Sequence, residues 1–204
     1  MSTWQEIRDG FEQAAEWFLR VVPEGRGRWD ETGLGEWSIR DLVGHTSRAF
    51  LTIESYLDKP ATEAAVESAV EYFSLVFASS GDPAAVAQRG RDAGAALGDD
   101  PPRTVEAIAH RVLDRVRLAH EDALLATPVG GMRLIDYLPT RTFELTVHTC
   151  DLAVVLDQSL EVPKLAAMQS LAVVDGLAVE AGLAGPMLLS ATGRQRLPEG
   201  FSVL

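Results

Sequence analysis

The sequence predicts an all-α protein: a four-helix bundle with extra helices and a short C-terminal β-hairpin. Three observations carry that prediction. Apolar residues recur at three- and four-residue spacing through several long segments, the period of a helix with one buried face. Clusters of Gly, Pro, Ser and Asp separate those segments. Only the tail from Gly185 changes character, where MLLSAT and FSVL read as short strands joined by a turn containing Gly193, Pro198 and Gly200. A chain of 204 residues can bury one sizeable core. The expected organisation is a helical bundle over 1–160, with a C-terminal helix and hairpin over 161–204 packed on it.

The first helix spans 3–21, with Trp4, Ile7, Phe11, Ala14, Trp17, Phe18 and Val21 on one stripe, and Pro23, Gly25 and Gly27 end it. Trp29 and Trp37 bracket the turn-rich segment that follows, and both are expected to pack against the end of the bundle. The second helix covers 36–58. Ser38 and Asp41 fit a capping box at its start, and Leu42, Val43, Ala49, Phe50 and Ile53 form its buried stripe. One or two shorter helices follow, around 62–78 and 83–97; the region is Ala-rich and weakly periodic, which places it at the periphery. Pro101 and Pro102 open the next element, a helix over 105–126 with Thr104 as its N-cap. His110 and His120 lie in it among Arg111, Arg115, Arg117 and Glu121, on an exposed charged face. A loop over 127–134 leads into a helix over 136–157, with Pro139 tolerated in its first turn. The last helix, 163–182, is apolar at Leu165, Met168, Leu171, Val174 and Leu177.

Acidic residues outnumber basic ones 30 to 18, for a net charge of −12. Nucleic acid and anionic membrane surfaces both select clustered Lys and Arg, so neither is an expected partner. No apolar run approaches the ~20 residues that a membrane span needs. The acidic, amphipathic N-terminus is unlike a signal peptide. The single cysteine, Cys150, excludes an internal disulfide and fits a reducing cytoplasm. It also excludes zinc sites built on thiolates, which leaves His, Asp and Glu as candidate ligands.

The helix over 136–157 carries an unusual polar pattern. Phe143, Leu145, Val147, Leu152, Val155 and Leu156 give it a broad apolar stripe, yet Arg141, Glu144, His148 and Asp151 run in a file down one side. Glu144 and His148, four apart, can close on one divalent cation. His45, one turn after Asp41 on the second helix, read by itself is a hydrogen-bonded core histidine. Facing helices of a bundle can nevertheless converge on a metal. His45, Glu144 and His148 together supply two imidazoles and a carboxylate, donor types found in catalytic rather than closed structural zinc sites. Such a centre lowers the pKa of a thiol or water in its vacant position, and Asp151 would orient His148. Arg141 has two readings, a holder of an anionic group or a salt-bridge partner of Glu144 or a neighbouring carboxylate. Glu-x3-His pairs arise readily by chance, and there is no HExxH. Spacing therefore leaves open whether the polar file is a site or a solvated face.

Two segments, GEWSIRDLVGHTSRA (35–49) and DYLPTRTFELTVHTCDLA (136–153), add a family resemblance. They are similar to the paired signatures W-[ST]-x-x-D-L-x-x-H and R-x-x-E-x-x-x-H-x-x-D of the mycothiol-dependent maleylpyruvate isomerase family, within the wider DinB/YfiT-like metalloenzyme superfamily. Trp37, Ser38, Asp41, Leu42 and His45 match the first; Arg141, Glu144, His148 and Asp151 match the second. The resemblance covers roughly residues 1–160 and implies a DinB-like bundle in which His45, Glu144 and His148 hold the metal, usually zinc. It implies a low-molecular-weight thiol such as mycothiol as cofactor, and isomerisation or transfer on a small electrophilic substrate. The isomerase itself carries a larger C-terminal domain where this chain has a helix and hairpin, so maleylpyruvate is not the expected substrate. Rival expectations are a metal-dependent hydrolase using bound water, and a non-catalytic metal-binding or regulatory bundle. Exposed faces of the middle helices leave room for a homodimer.

Overall fold

A computed structural model describes residues 3–79 and 83–204. Its helices are α1 (Trp4–Val21), α2 (Ile39–Leu57), α3 (Ala69–Ala78), α4 (Pro83–Ala96), α5 (Pro101–Leu118), α6 (Leu134–Val155), α7 (Lys164–Glu180) and α8 (Ala184–Ala191). Two antiparallel hairpins interrupt them: β1 (Thr32–Leu34) with β2 (Trp37–Ser38), and β3 (Leu124–Thr127) with β4 (Gly130–Arg133). The protein is all-α, as the periodicity indicates.

The four-helix bundle consists of α1, α2, α5 and α6, with α7 laid across α1 and α6. Capping boxes start both α1 and α2. Thr3 and Glu6 reciprocate in the first. In the second, the Asp41 amide donates to Ser38 Oγ at 3.2 Å and the Ser38 amide donates to Asp41 Oδ2 at 3.1 Å. Each box satisfies backbone donors that have no partner within the helix. Phe11, Phe18, Phe50, Ile53, Leu138 and Leu145 are fully buried at the bundle centre, each contributing about 1.5–3 kcal/mol of burial. The Phe11 and Phe50 rings meet edge to face at 5.8 Å.

Several expectations are corrected. The C-terminal hairpin does not form: MLLSAT lies largely within α8, and residues 201–204 are not a strand. Met, Leu and Ala are strong helix formers, and none of the residues of that run before Thr192 is β-branched. The segment 62–68 is not helical, because the Ala65 and Val66 amides both donate to the Gly131 carbonyl of β4; α3 starts only after Ser68, whose hydroxyl accepts from the Glu71 amide. The break expected over 79–83 falls largely on 80–82, outside the described residues. The helix expected over 105–126 begins earlier and ends earlier. Asp100 rather than Thr104 caps α5, and the Thr104 hydroxyl instead donates to Leu97 O at 2.8 Å. His110 and His120 are exposed as expected, His120 in the turn beyond α5. The expected loop at 127–134 is occupied by the β3–β4 hairpin. Pro139 lies two residues deeper in α6 than expected, because the helix begins at Leu134.

Two further corrections concern packing. Far from peripheral, α4 makes the closest helix contact in α2's surroundings. A methyl group added at Gly44 would fall 2.2 Å from the Gly94 backbone nitrogen. The Trp37 indole lies against Gly90 and donates to Ala87 O at 3.0 Å. This helix packs through small residues, which is why it shows little apolar periodicity. On α7 the expected stripe is only partly the buried one. Met168 and Leu171 are exposed, while Ala166, Gln169, Ser170, Val173, Leu177 and Ala178 are buried. Gln169 lies over Gly10 and donates to Glu6 O at 2.8 Å.

Candidate metal centre

The α2 and α6 helices run antiparallel with a register that two contacts fix. At one end the His45 and His148 rings meet edge to face at 4.9 Å. At the other, Tyr137 Oη bonds Thr52 Oγ1 at 3.1 Å. Between these points the polar file of α6 faces α2. One donor atom from each of His45, Glu144 and His148 lies within 4.8 Å of the other two. The structure thus joins the three residues on which the expected triad depends.

Each donor is prepared differently. His148 is bracketed by carboxylates, with Nε2 3.3 Å from Glu144 Oε2 and Nδ1 3.1 Å from Asp151 Oδ2. Asp151 occupies the outer nitrogen and leaves Nε2 for the cluster, the arrangement by which a carboxylate orients a metal-binding imidazole. Burial works against the His148 cation, but the bonds to Asp151 and Glu144 outweigh it and raise its pKa to about 9. Burial also opposes the Glu144 anion, yet the bond from His148 and the Arg141 charge hold its carboxyl down at about 2. His45 is packed under Trp37, whose ring lies 4.4 Å away. Burial, followed by the neighbouring His148 charge, lowers its pKa to about 4. Its Nδ1 is buried and has no hydrogen-bond partner among the described residues.

That unpartnered nitrogen is informative, because a buried polar atom without a partner costs about 1–3 kcal/mol. The donor set fits a divalent cation: one neutral imidazole, one ionised carboxylate and one imidazole whose outer nitrogen is already held. Buried hydroxyls nearby offer no competition. Those of Thr46, Thr142, Thr146 and Thr149 all donate to the carbonyl four residues back in their own helices.

Of the two readings of Arg141, the salt bridge is not made. The residue is 7% exposed, and among the described residues its guanidinium has no carboxylate at salt-bridge distance. It lies between the rings of Tyr137 and Tyr72, 5.0 and 5.5 Å from their centroids, and donates from Nε to Thr140 Oγ1 at 2.9 Å. Two ring faces help to keep it cationic. Cys150 is half-buried, and burial followed by the Asp151 charge pushes its thiol pKa up. It is not activated as a nucleophile.

Trp37, Tyr72 and Tyr137 frame this region and were not assigned to the site from the sequence. Tyr137 stands four residues before Arg141, so helical spacing could have placed it. Tyr72 arrives from α3, and no local pattern connects it with α6.

The bundle and its His/Glu/His cluster define the class, a helical protein compatible with metal binding at the α2–α6 interface. Residues 11–153 match the family model described as the mycothiol maleylpyruvate isomerase N-terminal domain, and the chain belongs to that family. No curated protein and no solved structure matches the chain. Among the described residues, no helix is long and apolar enough to cross a membrane.

Proposed function

We propose that the protein is a divalent-metal enzyme, with zinc the first candidate, that catalyses low-molecular-weight-thiol-dependent isomerisation or transfer on a small electrophile. A mycothiol-like thiol is the proposed cofactor. The observation that carries this reading is the convergence of His45, Glu144 and His148, with His45 Nδ1 buried and unpartnered. Family membership supports the thiol. A cation held by these three residues would supply Lewis acidity and favour the anionic form of a thiol.

The protein's own side chains have separate tasks in this reading. His45, neutral at physiological pH, offers a lone pair without first losing a proton. Asp151 holds the outer nitrogen of His148 and fixes the ring's orientation. Trp37 covers His45 and keeps bulk water from one side of the cluster. Arg141 places a fixed positive charge one turn from Glu144, where it can hold an anionic group.

The test is the metal content of protein purified without chelator or affinity tag, compared with His148→Ala. About one equivalent of a divalent ion in the parent, lost in the variant, is expected. A panel of thiols against electrophiles should then show turnover that requires both thiol and metal. Turnover without thiol would replace this reading with hydrolysis. A parent that neither carries nor takes up metal would overturn it.

A further inference from the structure

Helix α7 carries apolar residues on more of its circumference than the bundle covers. Its inner side is laid on α1 and α6, yet Met168 and Leu171 on the outer side are 58% and 59% exposed. A helix that is apolar nearly all round is ordinarily enclosed by other structure. The outer side of α7 is open. Between Pro163 and Gly193 the only charged side chains are Lys164, Asp175 and Glu180. Glu180 is already engaged, accepting from the Ser74 hydroxyl of α3 at 2.6 Å. Lys164 and Asp175 are exposed and make no hydrogen bond or ion pair among the described residues.

Lys164, Met168, Leu171 and Asp175 form one exposed file. Their spacing of four, three and four keeps them on a single stripe, the spacing at which one helix seats against another. The file has the same pattern from either end, charged, apolar, apolar, charged, and its two charges are opposite in sign. A second copy of α7, turned end for end about a two-fold axis midway between Met168 and Leu171, sets Met168 against the second copy's Leu171. The same operation sets Lys164 against the second copy's Asp175, and each contact is made twice. Such reciprocity is what a two-fold interface requires. A parallel pairing would instead place lysine on lysine and aspartate on aspartate. Ala167 and Ala172 flank the file and are small enough to let two helices approach closely. Val179, one turn beyond Asp175, extends the same exposed side.

Charge and area both favour a second copy as the occupant. Two chains of net charge −12 repel each other across most of their surfaces, so self-association is least opposed where the surface is neutral, and this file is neutral. The chain exposes 10683 Å², where a compact monomer of 22.1 kDa presents about 9,300 Å². That surplus, roughly 1,300 Å², exceeds the ~800 Å² that each partner gives to a stable interface. Helix α8, which follows α7 and has no buried residue, belongs to the surplus. We propose that the protein forms a two-fold homodimer in which the α7 helices of two copies pair antiparallel through Lys164, Met168, Leu171 and Asp175. This goes beyond the proposed function and does not depend on the metal or the thiol.

The test is the mass of the full chain in solution, measured by sedimentation equilibrium over a concentration series. A species of twice 22.1 kDa is expected. Leu171→Glu brings a carboxylate from each copy into the apolar centre and should raise the dissociation constant about a hundredfold. Leu171 is exposed, so the single chain should keep its fold, which an unchanged helical circular dichroism spectrum checks. Lys164→Glu turns two opposite-charge pairs into two like-charge pairs and should weaken the dimer about tenfold, as should Asp175→Lys. The double variant Lys164→Glu, Asp175→Lys rebuilds both pairs with their signs exchanged and should regain the parent's affinity. A chain that is monomeric at every concentration would overturn the homodimer. A dimer indifferent to Leu171→Glu would remove α7 from the interface. A double variant that dissociates as readily as the single ones would overturn the antiparallel register.

Discussion

Helix α2 has two opposed contacts that follow different rules. Toward α4 it presents Gly44, and the two backbones approach so closely that a single methyl group has no room. Toward α6 it presents His45, Arg48 and Thr52, and there a buried nitrogen and a guanidinium have no partner among the described residues. The first contact is closed by van der Waals packing, with little chemistry in it. The second is built of groups that are costly to bury and incompletely matched within the protein. One helix thus anchors the bundle on one side and carries part of the candidate metal centre on the other. Substitutions on the two sides should separate stability from chemistry.

The largest effect is expected on the closed side. In Gly44→Ala the new Cβ would meet Gly94 N at 2.2 Å and the Ala93 carbonyl carbon at 2.5 Å. Both are backbone atoms, so the helices must move apart. Overpacking of this kind costs about 1–3 kcal/mol and occasionally more, against about 1 kcal/mol returned by alanine's helix propensity. With rigid backbone on both sides the upper end applies, and a net loss of about 2 kcal/mol is expected in denaturant unfolding. The folded fraction should still take up metal.

On the open side the corresponding change is Asp151→Asn. The shape is kept, but the charge that holds His148 Nδ1 is removed. Losing such an orienting carboxylate weakens metal affinity by about 10–100-fold. Competition with a chromophoric chelator measures this. Unfolding should change less than in Gly44→Ala, and an unchanged metal affinity would show that Asp151 is only a solvated neighbour.

The same side should respond to pH. In the metal-free fold His148 has its pKa raised to about 9, Glu144 is ionised and His45 is neutral near pH 7. Metal uptake at that pH must displace one proton, from His148. Apparent affinity should rise about tenfold per pH unit between roughly 5 and 9 and then level off, and calorimetry in buffers of different ionisation enthalpy should count about one proton released. The sign for stability is opposite. A raised folded-state pKa stabilises the metal-free protein fully below the unfolded value near 6.5, and that contribution is lost as pH rises through about 9. Below pH 6.5 the neutral, buried His45 works the other way, and its contribution falls away toward about 4.

Much of the open side was legible in the sequence, and little of the closed side was. The α6 file is spaced by three and four, so the helix alone places Arg141, Glu144, His148 and Asp151 together. The Ser38–Asp41 capping box marks where α2 begins, and so fixes the face on which His45 falls. The Gly44–Gly94 approach leaves no such trace, because glycine and alanine carry no apolar periodicity. Buried threonines concealed part of the α6 core in the same way, since back-bonding hydroxyls satisfy themselves without any partner the sequence could reveal. The face of α7 was misjudged for the opposite reason: it is apolar nearly all round, so periodicity could not choose between Met168 and Val173. Tyr72 reaches the site from a separate helix, which only the tertiary fold can show.

The smallest effect is expected where arginine is already partnered. Arg111 forms a two-pronged bond with Glu54, Nε to Oε1 at 2.7 Å and Nη2 to Oε2 at 2.9 Å, at the α2–α5 surface. The Arg111 bond holds the Glu54 carboxyl below its ordinary range. A depressed carboxyl stabilises the fold above its unfolded value near 4.5 and loses that contribution as pH falls. With the Arg111 side chain half exposed, water and salt screen the pair, and Arg111→Ala should lower stability by less than about 1 kcal/mol, with no dependence on metal. Arg48→Gln should differ in kind. Half-buried Arg48 makes no hydrogen bond or ion pair among the described residues, so stability should hold or rise as repulsion with Arg141 is relieved. If both variants instead lose similar stability, the arginines of α2's neighbourhood are alike, and the contrast between its partnered and unpartnered cations fails.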